Sequence, residues 1–177
     1  GAALPGAATP SASPLPSNGT SFTGQMRFAN GGLGYPMGTT ETEADGITRN
    51  RDAGPFDVRW QSDDARFTGT GSLTSAYDEY VTETGDVVRV GWGTQYLETE
   101  GGAWRSVAPG AGAIFEPTGD LAPEDSAYPV WFDGEGDYEG MSALLIYKAS
   151  WDPARRPVWT FEGWIVPGDS HFEAQLE

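Results

Sequence analysis

Between residues 21 and 167 large apolar side chains recur at every second position, the spacing at which neighbours in an extended chain face opposite sides of a sheet. The pattern is strongest over 86–97, where Val88, Val90, Trp92 and Tyr96 alternate with Arg89, Gly91, Gly93 and Gln95. In a strand opening at Ser21, Phe22, Met26 and Phe28 share one face, and Thr23, Gln25 and Arg27 share the other. Weaker strands are expected over 39–48 and 56–61, the second setting Val58 and Trp60 opposite Asp57 and Arg59. Residues 66–77 carry Phe67, Leu73 and Tyr77 on one face, and 103–107 return as a hairpin arm after the Gly101-Gly102 turn. Segments 128–133, 141–149 and 158–166 complete the set, the last with Trp159, Phe161 and Ile165 on one face. A helical pattern is expected only over 170–176.

Thirteen prolines and 25 glycines among 177 residues suit a chain of many turns, and glycines inside strands supply the curvature that closure of a sheet requires. The expected fold class is therefore all-β: a closed or nearly closed antiparallel β-barrel of about eight to ten strands, with a β-sandwich as the alternative. An aromatic-x-Gly element recurs as Phe22-Thr23-Gly24, Phe67-Thr68-Gly69, Tyr138-Glu139-Gly140 and Phe161-Glu162-Gly163. A ring beside a glycine on one sheet face can lie over bare backbone, so these elements predict a repeated packing device.

Residues 1–20 are Gly, Ala, Ser, Thr and Pro with few large apolar groups, too little to offset the entropy of ordering. They are expected to form a disordered tether, followed by a barrel domain over 21–168 and a polar tail over 169–177. In a bacterial surface protein such a tether lies between an anchored or removed N-terminus and the folded domain. An extracellular or cell-surface location, tethered or secreted, is the expectation. Asn18-Gly19-Thr20 also matches a glycan acceptor sequon.

With 26 acidic residues against 10 basic ones, the formal net charge of -16 repels nucleic acid and anionic membrane surfaces. The arginines are scattered along the chain, apart from the pairs Arg49/Arg51 and Arg155/Arg156. No apolar run approaches the roughly 20 residues of a membrane span, so no membrane insertion is expected. The absence of cysteine excludes disulfides and thiolate metal sites.

The most distinctive segment is Asp133-Gly134-Glu135-Gly136-Asp137-Tyr138-Glu139-Gly140, which leads into an apolar strand. Its G-x-G-x-Y-x-G spacing resembles a hairpin signature of the allene oxide cyclase and dirigent-type β-barrels. Together with Ser62-Asp63-Asp64-Ala65-Arg66-Phe67-Thr68-Gly69-Thr70 and Thr160-Phe161-Glu162-Gly163-Trp164-Ile165-Val166-Pro167-Gly168, it also resembles uncharacterised bacterial secreted proteins. These stretches cover under a quarter of the chain. The likeness implies a small antiparallel barrel of the kind whose cavity holds apolar ligands, and it implies no particular activity.

Read as chemistry, Asp133, Glu135, Asp137 and Glu139 are candidate calcium ligands, since hard cations prefer oxygen donors. Glu41, Glu43 and Asp45 before Gly46 invite the same reading. An EF-hand needs glycine where Tyr138 stands, so a solvated turn is the competing reading. The single histidine, His171, lies in the polar tail, which argues against a Ser-His-Asp triad or a histidine-rich metal site. Among candidate catalytic acids Glu162 comes first, because it interrupts an apolar strand near Trp159 and Trp164; Glu98 and Glu116 follow.

Seven tryptophans and seven tyrosines exceed what a small core needs. Trp60, Trp92, Tyr96, Trp104, Trp131 and Trp164 are the candidate ligand-binding residues. Trp60, Trp92 and Trp159 also suit buried strand faces, and Trp104, Trp151 and Trp164 suit a surface platform for sugar rings. The sequence thus favours a binding protein over an enzyme: a barrel taking an apolar or amphipathic small molecule, or a partner, in an aromatic-lined mouth. The alternatives are a carboxylate enzyme of cyclase, isomerase or glycosidase type, and a glycan-binding or adhesion module. Calcium is the one cofactor considered.

Overall fold

The computed structural model describes residues 19–31, 36–81, 83, 85, 87–107, 113–115, 127–154 and 156–168. Nearly all of the expected tether, Glu116, and the 169–177 tail with His171 and the expected helix lie outside the described residues. The described elements are β1 (Thr20–Phe28), β2 (Thr39–Thr42), β3 (Thr48–Ser62), a 3-10 turn (Ala65–Phe67), β4 (Gly69–Val81), β5 (Val87–Trp92) and β6 (Gln95–Glu98). They continue with β7 (Gly102–Ser106), β8 (Ala113–Phe115), β9 (Ala127–Gly136), β10 (Met141–Trp151) and β11 (Pro157–Pro167). Among the described residues no helix is long and apolar enough to cross a membrane.

Eight strands in the order β3-β1-β11-β10-β9-β7-β6-β4 form a barrel that closes where β4 pairs back onto β3, every pairing being antiparallel. This closure decides for the barrel over the sandwich. The first part of β3 and the last part of β4 run on beyond the barrel as a ribbon, widened by β2, β5 and β8. The register between β3 and β4 shifts twice between Asn50 and Phe56, around the left-handed Asp52 (φ 59°) and the cis Gly54-Pro55 peptide. Such irregularities bend a strand and increase its twist, and here they lie where ribbon and barrel join.

The inward set follows the expected alternation. Phe22 and Met26, Phe56, Val58 and Trp60, Leu97, Val130 and Phe132, Ala143, Leu145 and Tyr147, and Phe161 and Ile165 are all buried. Between β1 and β11 two of the aromatic-x-Gly elements interlock, Phe22 standing opposite Gly163 and Phe161 opposite Gly24. A Cβ added at either glycine would collide with the facing ring. Each ring thus covers its neighbour strand's glycine. The other two elements do different work: Gly69 lies against the backbone of Glu98, and Gly140 is a turn residue with φ 79° and open space around it.

Three expected strands are redrawn, and the first is 39–48, which is β2, a turn over 43–47 and the opening of β3. Residues 86–97 are not one strand but β5 and β6, interrupted at Gly93-Thr94, where the Thr74 N–H donates to the Thr94 carbonyl at 2.9 Å. Past this break Gln95 and Leu97 are the buried residues of β6, so Tyr96, expected on the core face, is on the outer one. Tyr96 changes side because the strand restarts after this break, which turns Leu97 inward opposite Trp104 and Gly71. Residues 66–77 begin as the 3-10 turn, capped by the Asp64 carboxylate accepting the Arg66 N–H at 2.9 Å, and become strand only at Gly69.

Candidate binding site

The barrel axis is occupied by side chains. At the end where β1 begins, Phe67 swings in from the 3-10 turn and its ring lies 5.2 to 5.4 Å from those of Phe22, Trp104 and Phe132. Tyr138, from the turn joining β9 to β10, stacks on Trp104 at 5.1 Å, while the Trp104 indole N–H donates to the Arg66 carbonyl at 2.7 Å. Midway, the Trp60 indole N–H donates to the Tyr147 hydroxyl at 2.9 Å, which in turn donates to Gln95 Oε1 at 2.9 Å. Among the described residues no buried side-chain polar atom lacks a partner. This end is shut by chain that crosses it.

The opposite end, where β1 finishes, is built differently. Phe28, Leu73 and Trp159 pack against the core but are only partly buried. Phe28 meets Trp159 edge-on at 5.2 Å and Phe56 at 5.4 Å, a geometry favourable for aromatic quadrupoles. Phe28 also lines a notch of about 200 Å3, shared with Arg27, Ala29, Gly31, Arg59, Arg156 and Pro157.

The backbone explains the three arginines. Arg27 and Arg59 stand directly opposite each other across the β1–β3 ladder, an arrangement that costs energy when both groups are cations and nothing lies between them. Arg156 is delivered by the turn between β10 and β11, which is organised around Asp152. Asp152 Oδ1 accepts the backbone N–H groups of Ala154 and Arg156, each at 2.9 Å, and Oδ2 accepts from Arg156 Nε at 2.8 Å and from Arg27 at 3.2 Å. The backbone N–H of Arg156, then its guanidinium, hold the Asp152 carboxyl below its ordinary range. The Asp152 side chain is 5% exposed, whereas those of Arg27 and Arg156 are 41% and 58% exposed, so the acid is spent within the protein and the cations face outward.

Elsewhere each arginine with a described ion pair has a carboxylate of its own. Arg51 pairs with Asp78, Arg66 with Asp64, Arg105 with Glu135, and Arg49 with both Glu43 and Asp45. Arg59 makes no ion pair among the described residues.

The residues singled out from the sequence are dispersed. Trp60 and Trp104 are fully buried, so neither lines an opening; both are core residues, and the sugar-platform reading of Trp104 is withdrawn. Trp92 lies under the Arg51 guanidinium at 4.7 Å, and Tyr96 under that of Arg105 at 4.6 Å. Trp131 and Trp164 stand on the outer wall on either side of Leu144, directly across both of its ladders. Trp151, opposite Pro157, is seven residues along β10 from that row, about 23 Å at strand rise, so it shares no platform with Trp164. Glu162 is exposed on the outer wall, facing Thr23 and Ile146, outside the apolar interior that would have made it a candidate acid. Glu98 is likewise exposed.

The acidic segment does form the β9–β10 hairpin. Asp133 accepts the Ser142 hydroxyl at 3.1 Å and Glu135 accepts Arg105 Nε at 2.8 Å, while Asp137 and Glu139 occupy the turn. Among the described residues no three His, Asp or Glu side chains gather as they would around a metal ion. The set Asp133, Glu135, Asp137 and Glu139 therefore does not converge: Asp133 and Glu135 are spaced along β9 and bonded to Ser142 and Arg105, while Asp137 and Glu139 lie in the turn beyond it. Glu43 and Asp45 are committed to Arg49, whose guanidinium holds Asp45 below its ordinary range.

The arginine notch went unread in the sequence because its members come from β1, β3 and a distant turn; the one local signal was the Asp152-Pro153-Ala154-Arg155-Arg156 turn. No family model matches this chain, and no curated protein or solved structure matches it either.

Proposed function

We propose that this barrel is a binding module for an apolar or amphipathic small molecule, taken up at the end where β1 finishes. The observation that carries the reading is the asymmetry of the ends: Phe67 and Tyr138 stop one, while at the other Phe28 joins the partly buried Trp159 to an accessible notch. Binding sites combine a concavity, apolar surface and a few convergent polar groups; here the notch supplies the concavity and the polar groups, and Phe28 and Trp159 beside it supply apolar surface. The mouth so defined uses Phe28, Leu73 and Trp159, with Phe56 buried behind them, rather than the tryptophans favoured by the sequence. The composition of residues 1–20 favours a tethered or secreted domain outside the cytoplasm.

A second reading, glycan binding, draws support from Trp131 and Trp164 on the outer wall around Leu144. Amide chemical-shift mapping of the full chain separates the two, with 2-naphthalenemethanol and a panel of oligosaccharides as probes. Shifts centred on Phe28, Leu73 and Trp159 with the aromatic alcohol are the expected result. Shifts centred on Trp131 and Trp164 with a sugar would replace the first reading by the second, and silence with every probe would end both.

A further inference from the structure

We infer that the ligand carries one anionic group, a carboxylate, sulfonate or phosphate, and that Arg27, Arg59 and Arg156 hold it in the notch beside Phe28. This inference rests on the proposed mouth and adds the chemistry of its rim.

In a chain where 26 acids face 10 bases, every arginine has an abundance of carboxylates to find, and most of the described ones do find their own. The notch is lined by three arginines and by no acid: Arg27 and Arg156 both bond the buried Asp152 carboxylate, and Arg59 makes no ion pair among the described residues. That arrangement is held open by the fold: the β1–β3 register sets Arg27 beside Arg59, and the Asp152 turn brings Arg156 to them. Cations forced together without a matching acid repel, and an anion placed between them converts that repulsion into charge-assisted hydrogen bonds. Arginine's planar fork suits the oxygens of carboxylate, sulfonate and phosphate groups.

Size sets the rest. A volume of about 200 Å3 has room for about seven waters at ~30 Å3 each, enough for a charged head and its first carbons. The apolar remainder of such a molecule would continue over Phe28 toward Trp159, with which Phe28 is in edge contact. The head would sit with Arg27 and Arg59 on the outer face, and the body would pass over the rim at Phe28 toward the inner face that Trp159 shares.

The test is calorimetric titration of the full chain with 2-naphthalenesulfonate, 2-naphthalenemethanol and inorganic sulfate at low and high salt. The expected result is a preference for the sulfonate over the alcohol of about tenfold, shrinking as salt screens the exposed guanidiniums. Arg59→Gln should abolish that preference, whereas Arg105→Gln, which alters a remote arginine paired with Glu135, should keep it. Equal binding of sulfonate and alcohol by the unmodified chain would overturn the anionic head while leaving the apolar mouth standing. Binding of neither aromatic probe would overturn the mouth itself. Sulfate binding as tightly as naphthalenesulfonate would overturn the joining of head to body, reducing the notch to a simple anion site.

Discussion

At one end of the barrel Phe67, Trp104 and Tyr138 are at most 8% exposed; at the other Phe28, Leu73 and Trp159 pack on the same core and keep part of their surface open. Both ends are aromatic, so ring content does not separate them. What differs is the chain behind the rings. At the shut end the 3-10 turn and the β9–β10 turn fold across the opening and carry Phe67 and Tyr138 with them. At the other, β3 and β4 run onward as a ribbon instead of turning in, and the β10–β11 turn spends its acid on Arg27 and Arg156. Rings become core where backbone crosses behind them and remain surface where it does not.

Substitutions should therefore divide by end, stability belonging to one and recognition to the other. The largest effect is expected for Phe67→Ala, which empties the centre of a ring cluster and should cost about 3–5 kcal/mol in urea unfolding. A cost under about 1 kcal/mol would show that the plug does not seal the barrel. Gly163→Ala should cost about 1–3 kcal/mol, because its Cβ meets the Phe22 ring with no free space to take up. Tyr147→Phe lies between the ends; it leaves Trp60 Nε1 and Gln95 Oε1 without their shared partner and should cost about 1–3 kcal/mol with the barrel otherwise intact by circular dichroism.

At the open end the effects on folding are smaller. Asp152 has a carboxyl lowered in the folded state, chiefly by the Arg156 N–H, so its contribution is complete above the ordinary value of about 3.9 and is lost as pH falls through the lowered folded value. The melting temperature of Asp152→Asn should lie below that of the parent at neutral pH, and the gap should close on acidification through that range. A gap independent of pH would mean that the carboxylate charge does not organise the turn. Arg59→Gln is expected to change stability by no more than about 0.5 kcal/mol, in either direction. A loss comparable to that of Phe67→Ala would make the arginines structural and dissolve the contrast between the ends.

The parts of the fold that were legible share a local cause. Phe22, Met26, Trp60, Phe161 and Ile165 fell on the expected face because pleating alone assigns alternate residues to opposite sides. The recurring aromatic-x-Gly elements pointed to rings over bare backbone, and Phe22 with Gly163 and Phe161 with Gly24 fulfil it across a ladder. Tyr96 and Trp104 were misassigned for a non-local reason: a break at Gly93-Thr94 and an indole bond to the Arg66 carbonyl decide their surroundings. Glu162 has apolar neighbours in sequence, yet the adjacent Phe161 and Gly163 point inward and it points out beside Trp164.

Alternation, glycine and proline by themselves determined that this chain builds sheet, and which side of most strands turns inward, since both follow from the geometry of a single extended backbone. Only the tertiary structure decided that the sheet closes on itself, that one end is stopped by Phe67, and that Arg27, Arg59 and Arg156 line one notch. Those outcomes depend on register between strands remote in sequence, and register is a property of pairs that no single segment carries.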